Sequence, residues 1–376
     1  MDSRLRGNDK IRVNGEGLRL NQDSYRNLIA GQDNSFGKRM LRMLLGGASV
    51  MYAGGIAIRN LCYDKGWLKS QVAKAPVISV GNVTTGGTGK TPLVVWLCEM
   101  LRESDRKCAV LTRGYKSEKG KLTDEPAILA KSCPDAHIVV NSDRCQGAEK
   151  AVSQLGANVL VMDDGFQHRR LKRDLDIVAV DATCPFGYGR MLPAGLLREP
   201  VKALKRAQAV VITRYDQVAD GGIEKLEEAI REISPDITIA KAAHRHPYAK
   251  AMKGATFTIE ELKERSIFVF CGIGNPAAFI NRLDEYGLDV VGSRVYNDHH
   301  NYTEQDLTDI YEEARYLEAD MVLSTQKDWV KTTLLSQKDD NIVFAYLALE
   351  LEFLDGADKI KSLVNKTINQ WTVDRL

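Results

Sequence analysis

The stretch Val77-Ile78-Ser79-Val80-Gly81-Asn82-Val83-Thr84-Thr85-Gly86-Gly87-Thr88-Gly89-Lys90-Thr91 joins a strand-forming apolar run to a glycine-rich turn and then to a helical pattern. Such a junction binds phosphate. Glycines let the backbone curl until successive N–H groups point inward, and the helix N-terminus adds its dipole. Thr84, Thr85, Gly86, Gly87, Thr88 and Gly89 thus form a cradle for the phosphates of a nucleotide. Lys90 reaches the β- and γ-phosphates, and Thr91 offers its hydroxyl to Mg2+. The strict pattern opens with a glycine five residues before Gly89, where this chain has Thr84; the flanking strand and helix compensate. A plain βα turn would have no use for Gly-Lys-Thr at the helix start.

A second apolar run, Val159-Leu160-Val161-Met162, ends in Asp163-Asp164. Carboxylates at a strand end next to a phosphate loop hold Mg2+ through water. Asp181, at the end of Ile177 to Val180, competes for that role, and any of these acids serves equally well as a helix N-cap. The run Gly165-Phe166-Gln167-His168-Arg169-Arg170-Leu171-Lys172-Arg173 brings cations to the carboxyl end of the strand, where α/β proteins bind ligands. Asp124-Glu125-Pro126 reads locally as a helix start with Asp124 as N-cap. Asp298-His299-His300 has no metal-ligand spacing, and a His beside an Asp is most simply a loop hydrogen bond. Cys271-Gly272-Ile273-Gly274-Asn275-Pro276-Ala277 imitates a dinucleotide turn but lacks the acid that should follow Val290 to Val295. Thr325-Gln326-Lys327-Asp328 resembles a guanine-reading loop with the wrong spacing, and its role stays open.

These motifs need a scaffold. From Ala75 short apolar runs (Val77–Val80, Ala109–Leu111, Ile138–Val140, Val159–Met162, Ile177–Val180, Val210–Ile212) alternate with amphipathic stretches such as Pro92–Leu101 and Gly222–Ile233. That alternation predicts an α/β fold of the P-loop NTPase type, a mostly parallel sheet with helices on both faces. A second, smaller α/β domain follows. The expected divisions are a disordered or non-native extension over 1–39, a membrane-associating helical segment over 40–74 and the nucleotide-binding domain over 75–233. A linker over 234–265 and the smaller domain over 266–376 complete the chain.

Met43 to Ile58 carries no charge and is flanked by Lys38, Arg39 and Arg42 on one side and Arg59, Lys65, Lys69 and Lys74 on the other. Its sixteen residues fall short of the roughly 20 that a spanning helix needs, so a helix lying in the membrane interface is expected, with a buried core helix as the alternative. Length (376 residues) calls for about two domains, and 52 Lys+Arg against 50 Asp+Glu gives a net charge of +2, which speaks against a nucleic-acid partner. The seven cysteines are scattered without ligand spacing, as in a reduced cytoplasmic protein.

In order, Gly81 to Pro92, Thr112-Arg113-Gly114-Tyr115, Asp124-Glu125-Pro126, Asp163 to His168, Leu192-Pro193-Ala194-Gly195-Leu196-Leu197-Arg198-Glu199-Pro200 and Asp298-His299-His300 closely resemble the tetraacyldisaccharide 4'-kinases, the lipid A kinases of Gram-negative bacteria. The resemblance runs from about Met43 to the C-terminus, and Thr84 is ordinary for that family. It implies transfer of the ATP γ-phosphoryl group to the 4'-hydroxyl of a tetraacylated glucosamine disaccharide 1-phosphate. The enzyme would be a monomer, peripheral at the cytoplasmic face of the inner membrane, with Mg2+. By the same resemblance, Asp124 is the base and His299 its partner, held by Asp298. Tyr115, Glu125, Arg144, Gln167, His168, Arg198 and Glu199 would line the acceptor site. A membrane-recruited switch ATPase of the partitioning type is the alternative; its loop wants a lysine where this chain has Thr85.

Overall fold

The computed structural model describes residues 11–13, 22–31, 35–114, 124–252, 254–274, 276–298, 300–333, 335 and 342–373. The chain opens with strand β1 (Ile11–Val13) and helices α1 (Gln22–Ala30) and α2 (Phe36–Asp64). Alternating elements follow: β2 (Val77–Gly81), α3 (Lys90–Glu103), β3 (Cys108–Thr112), α4 (Asp124–Ser132), β4 (His137–Val140), α5 (Arg144–Ser153), β5 (Val159–Asp163), β6 (Leu175–Asp181), β7 (Ala209–Thr213), α6 (Asp220–Ile233) and β8 (Thr238–Arg245). Next come β9 (Tyr248–Ala251), β10 (Thr256–Thr258), α7 (Ile259–Lys263), β11 (Ser266–Cys271), α8 (Pro276–Glu285), β12 (Asp289–Val295), α9 (Glu304–Tyr316), β13 (Met321–Thr325), α10 (Gln326–Thr332) and β14 (Val343–Leu347). Strand β15 (Glu350–Asp355) and helix α11 (Ala357–Val373) close the chain.

Two compact units form, one of Asp23–His244 with Leu351–Leu376, the other of Met1–Gln22 with Arg245–Glu350. In the first, an eight-stranded sheet runs β15-β8-β7-β6-β2-β5-β3-β4, and β2 through β8 pair in parallel where their registers are defined. Its inner strands are apolar on both faces because helices cover both, which is why they read as continuous apolar runs. Val80 lies opposite Asp163, and Asp181 opposite Thr213, so the loop after β2 and the acids ending β5 and β6 gather at one carboxyl edge.

The other unit is a seven-stranded sheet, β1-β12-β11-β13-β14-β9-β10, parallel through β14 and antiparallel at β9 and β10. These groupings differ from the expected divisions in three places. The stretch 234–265 is not a linker: β8 completes the larger sheet, while β9, β10 and α7 belong to the smaller unit. The C-terminal helix goes with the larger unit, because Ile360, Val364 and Ile368 pack into the core of Leu97, Leu101 and Ile177. Within 1–39, β1 pairs with β12, and α1 buries Leu28 and Ile29 while the Tyr25 hydroxyl donates to the Pro193 carbonyl at 2.8 Å. Short strands whose register depends on distant partners carry little periodicity, and the periodicity of α11 does not name the core that its apolar face joins.

Helix α2 is longer than its uncharged run, 29 residues or about 44 Å, with a mean hydropathy of 1.4 over its most apolar window. That is long and apolar enough to cross a bilayer, where the sequence run alone was too short. It is no core helix: Ser49 is its buried residue, and Phe36, Met40, Met43, Met51 and Ile58 are exposed.

Gly81 ends β2 because the chain after the acid pair passes directly over it; a Cβ there would lie 2.4 Å from the Phe166 Cβ. Gly81→Ala is therefore expected to lower stability by about 1–3 kcal/mol, read as a shifted urea midpoint. Gly47→Ala, on an exposed turn of α2 where a Cβ meets nothing, should produce no loss.

Candidate active site

Helix α3 begins at Lys90 with Gly89 as its N-cap in the left-handed region (φ 80), and a Cβ at Gly89 would meet the His244 ring at 2.6 Å. Only glycine fits there. The loop is braced from outside. Thr88 is buried, accepts from the Asn82 side-chain amide at 3.0 Å, and its carbonyl accepts from the Thr213 hydroxyl at 2.9 Å. The Thr85 amide donates to the Leu196 carbonyl at 2.8 Å, and Thr84 forms an antiparallel bridge with Leu197. The Arg214 guanidinium donates to the Gly87 carbonyl and, at 2.6 Å, to Asp181. Asp181 also accepts from the Thr183 amide and hydroxyl, so this rival acid is committed to shaping the loop.

The two carboxylates that end β5 have opposite environments. Asp163 is buried, and burial together with the nearby charge of Glu125 pushes its carboxyl up to about 7. At Asp164 the backbone turns left-handed (φ 51), which separates the two carboxylates. Burial would raise Asp164 too, but Lys90 at 3.4 Å and Arg198 at 2.8 Å overcome it and hold the group at about 2. Glu125, in the first turn of α4, is near enough for its charge to act on Asp163.

Asn82 is the hub behind the loop. Its side-chain oxygen accepts from Arg198 at 3.3 Å, its carbonyl from the Gln167 side-chain amide at 2.6 Å, and its own amide reaches Thr88. His168 is half-buried; burial, then Arg144, pulls it down to about 4, so the ring is neutral at physiological pH. Arg144 and Glu199 are both enclosed, which differs from an acceptor-lining position. Arg144 donates to the carbonyls of Asn141 (2.9 Å) and Asp163 (3.3 Å), supporting the acid pair from beneath. Glu199 lies between Arg206 at 2.5 Å and Arg59 at 3.7 Å, since a buried charge persists only with such partners.

Sequence reasoning missed Asn82, Tyr52 and Arg59. The Tyr52 hydroxyl donates to the Arg198 carbonyl at 3.1 Å, and Arg59 donates to the Gln167 carbonyl. Both sit on α2, whose apolar run and basic flanks drew attention to its outer face; their helical spacing was the available signal. In the smaller unit Asp298 pairs with Lys327 at 3.0 Å. The Thr325 to Asp328 motif acquires a structural role: buried Asp328 accepts from the Gly272 amide (3.0 Å), the Tyr302 hydroxyl (3.0 Å) and the Thr325 hydroxyl (2.6 Å). The turn at Gly272 is thus tied to a carboxylate of the protein itself. Tyr115 and His299 lie outside the described residues, as does the Asp124 side chain.

The sequence model of one family, described as tetraacyldisaccharide-1-P 4'-kinase, matches residues 41–369. The tetraacyldisaccharide 4'-kinase of Halothermothrix orenii is 32% identical over 93% of this chain and 99% of its own length. That of Syntrophus aciditrophicus is 36% identical over 77% and 84%. Among solved structures, LpxK from Aquifex aeolicus, crystallised in complex with ATP, aligns with a TM-score of 0.69 and 31% identity over 87% of this chain and 99% of that one.

Because the Asp163 carboxyl rises to about 7 in the folded chain, the unfolded chain releases its proton first, near pH 4. Stability therefore falls as pH climbs from about 4 to about 7 and the cost is complete above that. Asp163→Asn should raise the melting temperature of the nucleotide-free protein at pH 8 by a few degrees and change little at pH 4. Arg59→Ala should weaken nucleotide affinity, measured by titration with a fluorescent ATP analogue, because Gln167 and Glu199 lose the group that holds them.

Proposed function

The chain belongs to the tetraacyldisaccharide-1-P 4'-kinase family, and from that premise we propose that it transfers the γ-phosphoryl group of ATP to the 4'-hydroxyl of a tetraacylated disaccharide 1-phosphate. The observation that carries the reading is the joining of a braced phosphate loop to an acid pair split to about 7 and about 2. One acid is salt-bridged to the loop lysine; the other holds a charge that burial disfavours and that a divalent cation would stabilise.

The residues fit Mg2+: Thr91 at the start of α3, Asp163 and Asp164 are oxygen donors of the kind that hard cation takes. When bound, it would neutralise charge on the β- and γ-phosphates. Thr84, Thr85, Gly86, Gly87, Thr88 and Gly89 wrap the phosphates, and Lys90 follows the γ-phosphoryl group as charge develops. Asp124, on the first turn of α4, accepts the proton of the acceptor hydroxyl. The hydroxyl oxygen forms the new bond to phosphorus, the bond to the β,γ-bridging oxygen breaks, and ADP leaves. In a loose transition state the proton departs late, so positioning counts for more than basicity. Asp298 and His299 serve as the accessory pair of the smaller unit. Tyr115, Glu125, Gln167, His168 and Arg198 contact the acceptor, supported by buried Arg144 and Glu199.

An acceptor with four acyl chains stays in its bilayer, so the enzyme works there as a monomer, docked at the cytoplasmic face through α2 with its exposed apolar side chains and basic flanks. Purified protein in detergent micelles with γ-labelled ATP, Mg2+ and tetraacyl disaccharide 1-phosphate should move label into the lipid. Lys90→Ala should abolish that transfer. Asp124→Ala should cut kcat by about 10²–10⁴-fold with ATP binding retained; an equal loss of nucleotide affinity would assign Asp124 a structural role instead.

A further inference from the structure

Helix α1 precedes residues 41–369, the part of the chain that the family model matches, and falls where the sequence predicts no ordered element. It is nevertheless tied to the larger unit. Leu28 and Ile29 are buried, and the Tyr25 hydroxyl donates to the Pro193 carbonyl at 2.8 Å and to the Gly195 carbonyl at 3.4 Å. The next residues of that segment, Leu196 and Leu197, bond Thr85 and bridge Thr84 at the start of the phosphate loop. Arg26, the neighbour of Tyr25, is thereby carried to the loop itself: its guanidinium Nη2 lies 3.8 Å from the place a Cβ would take on Gly86.

The charges around the loop set Arg26 apart. Lys90 and Arg198 share Asp164, and Arg214, which donates to the Gly87 carbonyl, is paired with Asp181. Arg26 is partly buried and has no acidic partner among the described residues. We propose that Arg26 binds the phosphate chain of the nucleotide held by the loop, a contact supplied by the segment ahead of the family's matched region. The proposal deepens the functional reading above and rests on it for ATP as the ligand. A phosphate oxygen that accepts from a loop amide sits about 2.9 Å from that nitrogen, so a guanidinium already beside Gly86 reaches the same phosphate by a side-chain rotation. Gly86, at φ 110, puts no side chain in the way. Guanidinium groups bind phosphate oxygens in paired hydrogen bonds and stay charged at any working pH. Lys90, Arg198 and Arg214 share their charge with a carboxylate, whereas Arg26 brings its whole charge to the phosphates and gives up only solvent.

The test is a titration of the full chain with a fluorescent ATP analogue and Mg2+, without acceptor. Arg26→Ala should raise Kd about tenfold, the loss of one charge-assisted contact, and Arg26→Lys should recover part of it. Tyr25→Phe keeps the arginine but removes a bond that seats α1, so it should give a smaller loss of the same sign. Asn27→Ala, at an exposed position of the same helix, should give none. Competition by adenosine, which carries no phosphate, should be the same for Arg26→Ala and the wild type. An unchanged Kd in Arg26→Ala would overturn the proposal, as would a rise matched by Asn27→Ala or accompanied by a lower melting temperature of the nucleotide-free protein. An equal loss of adenosine binding would assign Arg26 to the nucleoside and overturn the phosphate contact. Because no acceptor is present, a wild-type protein that binds the analogue yet labels no lipid in micelles counts against the kinase reading, and the titration still decides Arg26. A wild-type protein that does not bind the analogue overturns both.

Discussion

Asp164 is held against Lys90 and Arg198 by a backbone turned into the left-handed region, and three parts of the larger unit converge on that contact. The lysine comes from the first turn after the phosphate loop, the aspartate from the end of the neighbouring strand, and the arginine from the 190–198 segment. Arg198 also reaches Asn82, which is bonded to Thr88 inside the loop and to Gln167 beyond the acid pair. Removing the charge at Asp164 would leave two partly buried cations without the carboxylate they share, so the loop, the strand end and the segment are coupled through it.

The same contact explains why adjacent aspartates differ so widely. Asp164 gains two cations and stays ionised to low pH, whereas Asp163 faces the interior, near Glu125, with its carboxyl pushed up. A pair tuned apart in this way divides the work. One member ties the loop lysine to the 190–198 segment, while the other stays buried with its carboxyl raised despite the nearby Lys90 and Arg144.

Helix α2 belongs to the site as well as to the surface. Its outer face is apolar and exposed; its inner face sends Ser49, Tyr52 and Arg59 to the 190–198 segment, Gln167 and Glu199. Under the proposed function, docking of this helix on a bilayer would tie the position of the bilayer to the geometry of the chemistry, and a lipid acceptor would need both at once.

The phosphate loop, the acid pair and the alternating pattern were legible in the sequence because each depends on local rules: glycines for a tight curl, a lysine and a threonine at a helix start, apolar runs for strands covered on both faces. Family resemblance added an expectation for the acceptor residues by matching motifs in order. What the residues alone left undecided was decided by tertiary packing. Asp163, Asp164 and Asp181 look alike in sequence, and only the placement of Lys90, Arg198 and Arg214 separates them. The resemblance places Arg144 and Glu199 at the acceptor site, yet burial commits both to protein partners. Strands β8, β9 and β10 are too short or too dependent on remote partners to show a period, and α11 joins a core assembled more than a hundred residues earlier. Local chemistry is written in neighbouring residues, while the state of a charge and the partner of an edge strand depend on what the fold brings beside them.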